Sequence, residues 1–178
     1  ANSVESCLAA QTGGADRVEL CAGIPEGGTT PSYGDIATAR ELLTHTRLHV
    51  IIRPRGGDFL YTPLEQRIML KDIENARRMG ADGVVFGCLT PEGDIDIALM
   101  KQLLEAAQGM SVTFHRAFDV CRQPKQALVQ PVRAVAPGHK SAKSVSDFPK
   151  HLCHSVHNSL MLSIIKCCGR NTSGQGDC

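Results

Sequence analysis

The chain has 178 residues, 42% of them hydrophobic and 21% charged, with a formal net charge of +1 at pH 7. That length suits one domain with a substantial core. The near-neutral balance gives no reason to expect nucleic acid or an anionic membrane as partner, and no run approaches the roughly 18 apolar residues of a spanning helix.

The first strand pattern is "RVELC" (17–21), followed by the Gly-rich loop "EGGTTPS" (26–32). That loop lacks the spacing of a P-loop or a dinucleotide fingerprint, so no nucleotide cofactor is expected. "HVIIRPR" (49–55) reads as a second buried strand and runs into "RPRGGDF" (53–59). There Arg53 and Arg55 flank Pro54, Gly56 and Gly57 permit unusual backbone angles, and Asp58 closes the turn. A loop of this kind can hold an anion on guanidinium forks and exposed backbone N–H groups.

A helix follows in "TPLEQRIMLKDIENARRMG". Thr62 is its expected N-cap, Pro63 its first residue, Glu65 its capping-box partner and Gly80 its stop. Leu64, Ile68, Ile73 and Ala76 form the predicted apolar stripe. "GVVFGC" (83–88) is the third strand, and "DIDIALMKQLLEAAQG" a second clear helix, with Met100, Leu103 and Leu104 on one face and Gly109 as its stop. The fourth strand, "SVTFHR" (111–116), passes into "TFHRAFD" (113–119), where Arg116 and Asp119 join His115.

The four strands begin at residues 17, 49, 83 and 111, separated by 32, 34 and 28 residues. "GADRVELC" (14–21) and "GADGVVFGC" (80–88) repeat one strand entry 66 residues apart. This is the βα rhythm of a parallel α/β fold. Eight such units make a (β/α)8 barrel, and four are countable here.

Side chains alternate across a strand, so parity sorts them. Val18, Leu20, Val50, Ile52, Val112 and Phe114 belong to the faces the helices need. Glu19, Cys21, Arg53, Arg55, Thr113 and His115 then point to the barrel interior, most of them at the C-terminal strand ends, where barrels of this type build their sites. A Glu19 ion pair with Arg53 or Arg55 is one expected use of these groups.

The rhythm stops near residue 128. Residues 129–178 hold no Glu, four of the seven His and four of the eight Cys. They read as an irregular tail, disordered or partly helical, with one apolar run at 159–168. His151, Cys153, His154 and His157 match no familiar zinc spacing. Cys7, Cys21, Cys88 and Cys121 sit instead inside apolar helix and strand patterns. Reduced thiols in an intracellular protein are expected.

With "VELC", "EGGTTPS", "RPRGGDFLY" and "VTFHRAFD" in order, residues 2–128 resemble the CutC copper homeostasis family. The resemblance implies a TIM (β/α)8 barrel, here incomplete at about strands two to five of eight, in a cytoplasmic protein with the nucleus as a second compartment. It also implies that Cys21 matches a proposed Cu(I) ligand, and soft thiolate suits Cu(I). The family's first strand would precede Ala1, and its last three strands do not match the sequence after "KQALVQ".

Half a barrel would leave two open edges and lose about 10 kcal/mol of apolar burial, so a marginal, aggregation-prone chain or a homo-oligomer is expected. Three functions stay open. The first is copper binding at Cys21, with His115 near the metal. In the second, a barrel enzyme holds a small anionic substrate on Arg53 and Arg55, with Glu19 or His115 as acid/base. The third is a truncated form that does neither.

Overall fold

A computed structural model describes residues 1–123. The expectations for the tail, including His151, Cys153, His154, His157 and the 159–168 run, lie outside the described residues.

The elements alternate in chain order: α1 (Val4–Thr12), β1 (Arg17–Leu20), α2 (Tyr33–Leu42), β2 (Arg47–Ile51), α3 (Pro63–Arg78), β3 (Gly83–Phe86), α4 (Ile97–Ala106) and β4 (Ser111–Phe114). The strands form one sheet in the order β1-β2-β3-β4, and every pairing is parallel. Neighbours in sequence are neighbours in space, as in an arc of a (β/α) barrel. Ala1 extends the pattern on the outer edge of β1. Its N–H donates to the Glu19 carbonyl at 2.7 Å, and its own carbonyl accepts from the Cys21 N–H at 2.9 Å. This is the bonding of a parallel neighbour.

Local chemistry explains the element ends. Ser32 with Asp35, and Thr62 with Glu65, make complete capping boxes. Asp96 caps α4 through the Leu99 N–H at 2.9 Å. Gly80 adopts a φ of 80° after α3, which only glycine takes without strain. The repeated Gly-Ala-Asp has one structural job at both sites. Each aspartate carbonyl accepts from the first residue of the next strand, Asp16 from Arg47 and Asp82 from Ser111, both at 3.0 Å. Asp82 adds a carboxylate bond to the Leu48 N–H at 2.8 Å.

The strands are shorter than the sequence suggests at their C-terminal ends. The second begins at Arg47 and stops at Ile51, because Pro54 has no N–H and the Arg53 N–H turns to the Thr30 hydroxyl at 2.9 Å. The stripe on α3 also differs. Met69, Ile73 and Ala76 are buried there, whereas Leu64 is 68% and Ile68 47% exposed. Residues 64 and 68 lie roughly 100–140° around the helix from Met69, so they face its flank rather than the sheet.

One core cluster joins Val18, Leu20, Val50, Val84, Phe86 and Val112 to the buried helix faces. A separate small cluster on the other side of the sheet holds Cys21, Ile51 and Val85. Parity therefore divides the sheet as alternation requires, with apolar side chains toward the helices and mixed groups inward.

Candidate functional site

Register stacks the inward side chains in levels. Glu19 lies opposite His49, His49 opposite Gly83, and Gly83 opposite Ser111. The next level holds Ile51, Val85 and Thr113, with Cys21 packed beside the first two. Two residues further on come Arg53, Gly87 and His115.

On the first level, Glu19 pairs with Arg17 at 3.0 Å rather than with Arg53 or Arg55. Parity puts Arg17 two residues away on the same face, while the two later arginines are held by their own loop. Burial raises the Glu19 carboxyl above its usual range, against the opposing pull of Arg17. His49 is buried, and its Nδ1 has no partner among the described residues. The ring covers Gly83 so closely that a Cβ there would sit 2.5 Å from Cε1. Burial, reinforced by Arg17, pulls its pKa down to about 4.

Cys21 is buried on the inner face. Its thiol donates to the Ala1 carbonyl at 3.4 Å. Burial pushes this thiol up, the N-terminal ammonium works against that, and Glu19 adds to it. The sulfur is thus held in its protonated form.

Arg53 is only 3% exposed. Its Nη1 donates to the carbonyls of Glu26 at 2.8 Å and Gly28 at 3.0 Å, and its Nη2 to that of Gly57 at 2.7 Å. The guanidinium also lies 4.8 Å over the Phe59 ring. Its Nε is buried without a partner among the described residues. Arg55 goes elsewhere: it bonds Glu65 at 2.7 Å and Asp58 at 2.9 Å and stacks near Tyr61. It ties the loop to α3. Gly56 packs so closely on Glu26 that a Cβ would meet Oε2 at 2.7 Å, and Gly57 takes a φ of +83°.

His115 is 3% exposed. Its Nδ1 accepts from the Ala117 N–H at 3.2 Å, capping the 3-10 segment Arg116–Val120. An accepting Nδ1 on a neutral ring leaves the proton on Nε2, and that atom is buried with no partner among the described residues. Burial, then the nearby Arg53, brings its pKa down to about 3. As a proton acceptor near neutrality it is weak, and Glu19, the other acid/base candidate, lies two levels away in its pair with Arg17. Arg116 and Asp119 are exposed on the 3-10 segment. The Arg116 guanidinium returns toward Arg53. Their Nη1 atoms lie 2.9 and 3.4 Å from where a Cβ would stand on Gly27.

The structure thus groups Arg53, His115 and Arg116, places Cys21 one level below them, turns Arg55 and Asp58 away, and leaves Asp119 exposed. Sequence reasoning missed two buried polar residues. His49 shares parity with Ile51 and Arg53, and that was its available signal. Tyr61, whose buried hydroxyl lies beside Arg53 without meeting hydrogen-bond geometry, sits in a loop where parity gives no direction.

Buried neutral histidines make stability depend on pH. Both folded pKa values lie below the ordinary 6.5, so between them only the unfolded chain takes up the proton. Stability is expected to fall as pH drops from 6.5 toward 4, by about 1.4 kcal/mol per pH unit per ring at most. Urea unfolding at pH 7, 6 and 5 reads this slope. Equal stability at all three would contradict the neutral burial.

The model of the CutC family matches residues 1–136. The chain belongs to the CutC family. A CutC family protein of Bacteroides thetaiotaomicron is 77% identical over 130 residues, covering 73% of this chain and 52% of that protein. One from Porphyromonas gingivalis strain W83 is 58% identical over 134 residues, covering 75% of this chain and 54% of the relative. A crystal structure from Streptococcus agalactiae, carrying the name copper homeostasis protein CutC, aligns with a TM-score of 0.64 and 45% identity, over 66% of this chain and 58% of that one. The chain thus spans about half the length of the curated CutC relatives it matches.

Copper, which the name of the Streptococcus agalactiae structure mentions, can be tested against the donors present. Among the described residues no three His, Cys, Asp or Glu side chains stand together as a metal-holding group. Cys21 offers one soft donor. His115 could offer Nε2 only by moving its proton to Nδ1 and releasing the Ala117 cap.

Proposed function

We propose that this chain serves copper homeostasis by taking Cu(I) on the Cys21 thiolate at the open end of its barrel arc. The family supports the reading, as does the name of the Streptococcus agalactiae structure. One observation carries it. All four described cysteines are free, yet Cys7, Cys88 and Cys121 pack in the core between sheet and helices. Cys21 alone of the four faces the interior, beside Ile51 and Val85. A single protein thiolate leaves Cu(I) short of a ligand, so the second donor comes from outside the described residues, and a small thiol such as glutathione can supply it.

The test is a Cu(I) titration against a competing chelator, with glutathione present, on the parent chain, Cys21→Ser and Cys88→Ser. Binding is expected in the parent and in Cys88→Ser, and its loss in Cys21→Ser. Equal binding by all three would overturn the reading.

A further inference from the structure

Arg53 is a permanent charge taken out of water, and its partners are three carbonyl dipoles and an aromatic ring. Neither Arg53 nor Arg116 has a carboxylate within ion-pair distance among the described residues, where the five pairs are Arg17–Glu19, Arg40–Asp82, Arg55–Asp58, Arg55–Glu65 and Arg122–Asp94. A buried cation with no counter-charge is costly unless one arrives.

The unmet groups lie together. Arg53 and His115 both pack on Phe59, the guanidinium 4.8 Å from its ring centroid and the imidazole centroid 4.9 Å from it. The absent side chain of Gly87 makes room for the imidazole, since a Cβ there would meet Nδ1 at 2.9 Å. Arg53 and Arg116 meet over Gly27. Apart from the Tyr61 hydroxyl, which both donates and accepts, the free capacity is that of donors. Arg53 Nε carries a hydrogen and no lone pair to give, His115 Nε2 carries the ring proton, and Arg116 has donors alone. A cation meets two guanidinium charges here, whereas an acceptor finds up to three donors in Arg53, His115 and Arg116. Glu26, the acidic side chain of the adjoining loop, packs against Gly56 and leaves the cluster positive.

From this we infer that Arg53 Nε, His115 Nε2 and the Arg116 guanidinium form a binding site for a small oxyanion, a phosphate or a carboxylate, at the C-terminal ends of β2 and β4. The site is separate from Cys21 and does not depend on copper. Arg53 serves both as scaffold and as donor, with three hydrogens on carbonyls and one directed at the ligand. Arg116, exposed on the 3-10 segment, supplies the solvent-side contact.

The test is calorimetric titration of the full 178-residue chain in Tris chloride at low ionic strength, with inorganic phosphate in one arm and oxalate in the other. Two variants spare the fold. His115→Asn keeps an acceptor for the Ala117 N–H, because an asparagine oxygen stands where Nδ1 stood, and removes the Nε2 donor. Arg116→Gln changes an exposed residue. Each is expected to weaken the bound oxyanion about tenfold or more, the effect of losing one charge-assisted or buried hydrogen bond. Cys21→Ser should bind as the parent does, which keeps this outcome distinct from that of the copper titration. Binding in one arm alone supports the site and names the class of oxyanion. No binding of either anion by the parent, or equal affinity in parent, His115→Asn and Arg116→Gln, would overturn the proposal.

Discussion

Arg53→Met is expected to lower the unfolding free energy by about 3–5 kcal/mol. The methionine can follow the stem of the arginine and keep the contact with Phe59. What it cannot do is donate to the carbonyls of Glu26, Gly28 and Gly57, which the guanidinium reaches at 2.7–3.0 Å. The bond to Gly28 is buried, and an unmet buried carbonyl costs about 1–3 kcal/mol. Those carbonyls belong to two separate loops, one after β1 and one after β2, so a single side chain holds both over the strand ends. Urea unfolding of the two proteins measures the difference. If Arg53 mattered to a ligand alone, the variant would lose binding and keep its stability, and the scaffold role would fall.

The second large effect is at Gly83. A glycine inside a strand ordinarily gains from a β-branched replacement, because Gly weakens strands. Here the sign is expected to reverse. The imidazole of His49 lies over the glycine, and a Cβ would come within 2.5–2.7 Å of three ring atoms. The ring has nowhere to retreat, since it is itself 3% exposed. Gly83→Val should therefore destabilise by about 3 kcal/mol, the upper range for overpacking. Removing the obstacle should rescue it. In a double-mutant cycle, His49→Ala with Gly83→Val is expected to be more stable than the sum of the single effects by at least about 1 kcal/mol. Additive effects would mean that ring and glycine do not press on each other.

Much of this arrangement was legible in the sequence, and the reason is periodicity. Alternation in "RVELC", "HVIIRPR" and "SVTFHR" separated inward from outward side chains because a strand offers two choices. The Thr62–Glu65 capping box and Gly80 fixed the ends of α3 because each answers a specific backbone requirement. The stripe on α3 was less determined. Leu64 and Ile68 have helical spacing, as Met69 and Ile73 do, and spacing cannot say which of two adjacent lines meets the sheet. Loops were the least legible. Arg53 and Arg55 stand on either side of Pro54 with the same side-chain chemistry, yet one turns into the interior and the other out to Asp58 and Glu65. That choice depends on where α3 sits, which no local pattern encodes. The Glu19 partner was misplaced for a similar reason: Arg17 is nearer along the same face than any residue of the neighbouring strand loop. His49 was overlooked although parity put it on the inner face with Ile51 and Arg53; only its seat over Gly83 needed register, a relation between strands.

The copper reading rests on a thiol that burial keeps protonated, and that gives it a signature. Cu(I) binds thiolate, so capture must release the proton of Cys21. Below the thiol pKa, affinity should rise about tenfold for each pH unit. The measurement that tests the central claim most directly is the Cu(I) affinity of the parent chain and of Cys21→Ser between pH 6 and 8, against a chelator of known pH dependence. With glutathione present in every arm, the account predicts a tight parent in which Cys21 contributes one released proton per copper beyond that of the small thiol, and a variant that has lost both the binding and that share of the slope. A parent whose affinity ignores pH, or a variant with an unchanged slope, would contradict it.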